Sequence, residues 1–283
     1  MMRATRGLAW GCADGTGTLM VQLRVLGSIE ICTAADGRDA DRLLDHAPRA
    51  RRLLAALVAR ANQVASTDSL IDAVWGHELP RSPQGAMQNL VSRLRTALRH
   101  RPNGVDVVTR PRGYCLTLSR DQLDAWLFED LISEARTLMH CAPQDAADRL
   151  DQALAWWSGP AYDEFSDEDF VRAEAARLTE LKIAAEDLRS QVDLMLLRPE
   201  EAARRLEALV AAHPMRETPY AHLMVAHYRA GRTAAALEVY RSYRSRLRDE
   251  LGADPSAQLK QLQAAVLRAD ESQLDAVVSS ARS

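Results

Sequence analysis

The sequence predicts a mainly α protein in two parts, a small α+β domain of three helices closed by a β-hairpin and then an all-α array of helical hairpins. Three observations predict it. Residues 82–100, SPQGAMQNLVSRLRTALRH, read as one amphipathic helix, and VDVVTRPRGYCLTL directly after them reads as a hairpin with two arginines at its tip. Strand alternation ends by residue 121, and every patterned stretch beyond it has helical period. Within that second part, an offset of 34 residues relates Leu194 to Tyr228, Ala202 to Ala236, Leu206 to Tyr240 and Leu209 to Tyr243.

Taken in order, residues 1–20 carry early arginines and Cys12, but their apolar stretch is too short and broken for a signal peptide. They are expected to be a disordered tail or an over-long start. VQLRVLGSIEI, residues 21–31, alternates on either side of Gly27-Ser28 and reads as a hairpin or two short strands. Residues 34–46 are charged and irregular. RARRLLAALVARA, residues 49–61, combines a continuous apolar face with strong helix formers, and Asn62 ends this first helix. Residues 64–68 then offer an N-cap, an acidic first-turn charge and a hydrophobic staple for a short second helix, SLIDAVWG. Trp75 is expected to fill the space between helices, and Gly76 to let the chain turn.

The third helix has two chemically distinct faces. Met87, Val91, Leu94 and Leu98 fall on one apolar stripe, and Gly85, Asn89, Ser92, Arg93 and Thr96 lie opposite. Ser82 suits the N-cap and Pro83 the first turn; Arg99, His100 and Arg101 sit where cations favour the dipole, before a Pro102-Asn103-Gly104 stop. In the following hairpin, Arg110-Pro111-Arg112-Gly113 has Pro second and Gly fourth, which suits a type I turn. A basic helix followed by a basic-tipped hairpin is the layout of a winged helix-turn-helix domain, with the helix for the major groove and the tip for a phosphate or the minor groove.

In the second part, small residues recur where helices approach closely and bulky ones recur around them, a tetratricopeptide-like helical-hairpin pattern. Pro214 closes the first copy, and Ala230-Gly231-Arg232 turns between the helices of the second. Residues 127–139 and 144–157 form a further hairpin out of period. Between the hairpins runs WWSGPAYDEFSDEDF, residues 156–170. Its carboxylates, Asp163, Glu164, Asp167, Glu168 and Asp169, have two readings: a surface for a basic partner on the transcription machinery, or a solvated loop whose Trp and Phe pack inward.

Composition narrows the function classes. A chain of 283 residues has room for about two domains. The net charge of −3 conceals an asymmetry, because residues 46–118 hold 11 Arg against 4 acidic residues, leaving +7 there and −10 elsewhere. No apolar run approaches 18 residues, so no membrane partner is expected. The four cysteines are scattered without a CxxC, which suits a reducing cytoplasm, and the seven histidines lack metal spacing. His222 and His227 read as ordinary helix residues. No nucleophile elbow, phosphate loop or metal cluster supports an enzyme, and no cofactor is expected.

QNLVSRLRTAL followed by VVTRPRGYCL resembles the OmpR-type winged-helix DNA-binding domain. The resemblance implies that Asn89 and Arg93 face bases in the major groove, that Ser92 and Arg95 face phosphates, and that Arg110 works from the wing. Arg112, at a wing position often held by glycine, adds charge to the tip. Residues 39–46 lack the clean strand such domains place before the first helix. LDQALAWWSGPAYDEF, AEAARLTELKIAAEDL and HPMRETPYAHLMVAHYRAGRTAAALEVYRSYRSRLRDELGADPSAQL are similar to the bacterial transcriptional activation domain. Residues 21–268 together resemble the Streptomyces antibiotic regulatory protein (SARP) family.

The resemblance implies a winged DNA-binding domain over 21–118, an activation domain over 121–270 and a tail over 271–283. It further implies a pathway-specific activator of antibiotic or other secondary-metabolite biosynthesis genes in an actinomycete. Such a protein binds direct repeats of double-stranded promoter DNA, self-associates there and recruits RNA polymerase holoenzyme. The ATPase module of larger relatives is not expected, since no Gly-Lys-Ser/Thr loop is present. The competing reading is a helical-repeat adaptor that binds proteins through its second half, with the winged domain degenerate or used for dimerisation.

Overall fold

The computed structural model describes residues 23–31, 47–98 and 105–279. The expected N-terminal tail, the irregular stretch 34–46 and the third helix's stop signals at 99–104 lie outside the described residues. The chain divides into two compact units, Met1–Trp126 with Gly159–Ala175, and Leu127–Ser158 with Ala176–Ser283.

In the first unit, β1 (Leu23–Arg24) and β2 (Glu30–Ile31) form a short antiparallel ladder in which Leu23 faces Ile31. The predicted hairpin about Gly27-Ser28 is therefore present, with alternate residues Leu23, Val25, Ile29 and Ile31 buried. Helix α1 (Pro48–Val58) begins with proline, whose missing N–H is harmless in the first turn, and buries Ala50, Leu53, Leu54 and Leu57. Asn62 follows in a left-handed conformation at φ 63°. Its side chain donates to Leu118 O at 2.9 Å and accepts from Leu118 N at 3.1 Å, a bond pair that ties the end of α1 to the end of the sheet.

The structure adds a strand that periodicity did not announce. β3 (Ala65–Ser66) is only two residues long, and Ser66 is also the N-cap of α2 (Thr67–Trp75), its hydroxyl accepting from Ser69 N at 3.1 Å. Gly76, at φ 53°, ends α2. Helix α3 (Pro83–Leu98) buries Met87, Val91, Leu94 and Leu98, the stripe expected from spacing, together with Ala97. β4 (Asp106–Arg110) and β5 (Gly113–Thr117) then pair in register Arg110 to Gly113, and β3 joins the far side of β5 to give the order β3-β5-β4.

The acidic loop belongs to this first unit. Tyr162 N donates to Val25 O at 2.9 Å and Asp163 N to Gly27 O at 3.1 Å, while the Tyr162 side chain is fully buried. Asp124 fastens the same hairpin, accepting from Val25 N at 2.9 Å and Leu26 N at 3.1 Å. Burial lifts the Asp124 carboxyl to about 6, against the opposing effect of these backbone donors.

The second unit is helical. Its elements are α4 (Asp124–Leu138), α5 (Pro143–Leu154), α6 (Asp169–Met195), α7 (Pro199–Ala212), α8 (Glu217–Arg229), α9 (Thr233–Leu251), α10 (Ala257–Arg268) and α11 (Glu271–Ser279). The first residues of α4 and of α6 lie in the first unit. The 34-residue offset carries α6–α7 onto α8–α9: Ala202 and Ala236 are both fully buried, and Leu206 and Tyr240 share one core with Leu209 and Tyr243. Tyr220 and Tyr243 stack at 4.4 Å. Within the segment expected as a tail, Glu271–Ser279 form helix α11, because Leu274 and Val278, four residues apart on one face, complete that core.

Candidate nucleic-acid interface

Helix α3 is held by its buried stripe, so its opposite side is fixed in orientation without being covered. Asn89, Ser92 and Arg93 are all exposed there. Among the described residues, the Asn89 and Arg93 side chains make no hydrogen bond within the protein. They are therefore available as a carboxamide and a guanidinium fork, the two groups that pair bidentately with adenine and guanine edges. Thr96 is exposed on this face too, but its hydroxyl donates to Ser92 O at 3.0 Å. Gln88, also exposed and one turn before Ser92, was not singled out by sequence reasoning. Its signal was the i, i+4 spacing that sets it beside Ser92.

Arg95 is placed differently from its neighbours. Its Nε donates to Val107 O at 2.7 Å and its guanidinium to Thr109 Oγ1 at 2.8 Å. The side chain is half-buried against β4, and these two bonds tie that strand to α3.

The wing tip consists of Pro111 and Arg112 between the paired ends Arg110 and Gly113. Arg112 has φ 70°, and a positive φ at the third turn position is the mark of a type II turn, so the expected type I turn is corrected. The reason lies outside the turn. A Cβ on Gly113 would stand 1.9 Å from Ala65 O, so glycine is required at 113 by the close approach of β3, and the left-handed position falls on Arg112. The Arg112 carbonyl accepts from Thr67 N at 3.0 Å, anchoring the tip to the start of α2. The Arg110 and Arg112 residues are exposed.

The five carboxylates of the acidic loop do not act as one surface. Glu164 makes a two-pronged ion pair with Arg51, which also donates to Ile29 O at 2.9 Å. Glu168 does the same with Arg52, at 2.9 Å on one prong, and the Arg52 guanidinium also lies 5.2 Å above the Phe170 ring. Asp169 pairs with Arg172 at 2.7 Å. Asp163 and Asp167 remain exposed without an ion pair among the described residues. The loop thus neutralises Arg51 and Arg52 of α1, while the arginines of α3 and the wing tip keep their charge.

No group of His, Cys, Asp and Glu among the described residues has the arrangement of a metal site. Cys115 is buried and Cys141 exposed, both as free thiols. Among the described residues no helix is long and apolar enough to cross a membrane.

Residues 41–116 match the family described as transcriptional regulatory protein, C terminal, and residues 123–267 match the bacterial transcriptional activator domain. The chain is 34% identical over 232 residues to the regulatory protein DnrI of Streptomyces peucetius, covering 79% of this chain and 85% of that one. It is 34% identical over 257 residues to the transcriptional regulator RedD of Streptomyces coelicolor, covering 88% and 71%. With the regulatory protein AfsR of Streptomyces griseus it shares 36% identity over 236 residues, 83% of this chain but only 24% of that protein, so it spans about a quarter of AfsR's length. Among solved structures, Mycobacterium tuberculosis EmbR in complex with a low-affinity phosphopeptide superposes with a TM-score of 0.80 at 27% identity, over 91% of this chain and 69% of that one.

Proposed function

Because the chain belongs to the SARP family of transcriptional activators, we propose that it is a sequence-specific activator of secondary-metabolite genes, with residues 21–118 reading double-stranded DNA and residues 121–270 acting on the transcription machinery. The observation that carries this reading is the pairing of two free surfaces in one unit: the Asn89, Ser92 and Arg93 face of α3 and the Arg110 and Arg112 wing tip. Arg93 forks to a guanine edge and Asn89 to an adenine edge, each contributing about 1–3 kcal/mol of discrimination against a wrong base. Ser92 donates to a phosphate. The wing arginines supply sequence-independent contacts that set register. Arg95 acts one step back, by holding the wing.

Two copies on promoter direct repeats set their recognition helices one or two DNA turns apart on the same face of the duplex, where they associate with one another. RNA polymerase holoenzyme is then recruited by contact. The partner-facing part of the acidic loop reduces to Asp163 and Asp167, since Glu164, Glu168 and Asp169 hold arginines of their own unit.

The test is binding-site selection from genomic fragments, followed by footprinting and binding isotherms at two salt concentrations. Arg93→Ala is expected to weaken the selected site by about 1–3 kcal/mol while leaving non-specific binding nearly unchanged. Equal loss on both kinds of DNA would reduce Arg93 to a phosphate contact. Failure of a folded chain to select any site would favour the adaptor reading.

A further inference from the structure

The helical unit carries a half-open cleft of about 570 Å³ that DNA reading does not use. Its walls come from α4, α6, α8, α10 and α11, and they combine apolar surface with polar and charged groups. Four carboxamides line it, Gln191, Gln258, Gln261 and Gln273. Charge of both signs lines it too, from the Arg136 guanidinium and the carboxylates of Asp187 and Glu217.

These carboxylates are held in place. Asp187 Oδ1 lies 2.8 Å from His222 Nδ1, and Glu217 accepts from Ser256 N at 3.0 Å. The α11 wall is also fastened, by Gln191 Nε2 donating to Val278 O and by an Arg229–Asp275 ion pair. Arg136, Gln258, Gln261 and Gln273 are exposed at the surface of the cleft.

The volume falls within the ~300–1,000 Å³ of small-molecule sites, where a few placed polar groups fix the ligand, and the carboxamides and charges here select a ligand with polar groups of its own. A carboxamide offers both donors and an acceptor, so several together match amide groups better than they match a simple ion. Two carboxylates against one guanidinium disfavour a plain anion and call for a molecule with an amine as well as an acid. We propose that this cleft binds a small zwitterion of the amino-acid or short-peptide class, with its carboxylate on Arg136, its ammonium toward Asp187 and Glu217, and its amides on Gln261 and Gln273. A cleft of this size has room for a di- or tripeptide. Occupancy would brace α11 against α8 and α10.

The test uses the full chain without DNA, by calorimetric titration and thermal shift, with Gly-Gln, Ala-Gln and Gly-Gly-Gln as probes. Each is compared with its N-acetylated and its C-amidated form. Saturable binding is expected for the free peptides, weakened at least tenfold by either cap. In Arg136→Ala, amidation should no longer matter, and Gln261→Ala should weaken all forms. Both positions are exposed, so the unliganded melting temperature should stay at the wild-type value. Absence of saturable binding by all three peptides overturns the proposal. Equal binding of capped and free forms also overturns it, and would indicate a groove for an internal segment of another chain. So does an Arg136→Ala variant that still distinguishes acid from amide.

Discussion

Replacing Arg112 with glycine separates the backbone role of the wing tip from its charge. At φ 70° a residue with a Cβ carries a steric cost of roughly 1–2 kcal/mol that glycine avoids. Glycine's greater freedom in the unfolded chain offsets about 0.5–1 kcal/mol of that gain. The Thr67 N to Arg112 O bond at 3.0 Å is made by backbone, so the substitution keeps it. Arg112→Gly should therefore stabilise the chain by about 0.5–1 kcal/mol, read as a higher urea midpoint at unchanged m-value. If the guanidinium meets a phosphate, the same variant should bind its selected operator more weakly at low salt, and the slope of log K against log salt should shrink by about 0.9. Arg112→Ala completes the comparison, because it removes the charge but keeps the strain: it should bind like the glycine variant without its added stability. A destabilised Arg112→Gly would refute the turn geometry. Unchanged affinity and salt slope would refute the wing as a DNA contact.

Gly113→Ala would put a methyl group 1.9 Å from Ala65 O and should cost about 2–4 kcal/mol in urea unfolding; a near-neutral result would mean that β3 parts from β5 at little cost. Arg95→Ala removes two bonds to the wing and should cost about 1–2 kcal/mol with faster amide exchange along β4, whereas a purely phosphate-facing Arg95 would leave both unchanged. Asp124 should make stability fall with rising pH. Burial lifts its folded pKa to about 6, above the ordinary ~3.9, so between about pH 4 and 6 the folded chain keeps a proton that the unfolded chain has released. Its contribution is complete below about pH 4 and is lost as pH rises through 6, by up to about 3 kcal/mol. Asp124→Asn does not titrate, and its urea midpoint against pH should lack that falling component; superimposable profiles would count against the assignment.

Much of the interface was legible because it rests on local periodicity. The 4-3-4 spacing of Met87, Val91, Leu94 and Leu98 sets one side of α3 inward, and the exposure of Asn89, Ser92 and Arg93 follows from the same geometry. Arg95 was not legible in this way. It lies between the two faces, and its partners, Val107 and Thr109, become neighbours only when the wing folds back on the helix. The turn type was misjudged for a related reason. Gly113 looked like a turn residue, yet what requires it is the backbone of β3, nearly 50 residues earlier.

Spacing along the chain determined the winged layout, the inward stripe of its recognition helix and the 34-residue repeat of the helical unit, since each is a relation among residues a few turns or one repeat apart. Tertiary structure alone decided that Ala65 and Ser66 are a strand, that α11 seals the helical core, and that Glu164 and Glu168 turn back onto Arg51 and Arg52. A two-residue strand has no period to detect, and an acidic side chain has the same identity whether it meets water or an arginine more than 100 positions away. Which of these it meets is settled by the fold, because long-range pairing depends on where the backbone returns and not on the residues beside it.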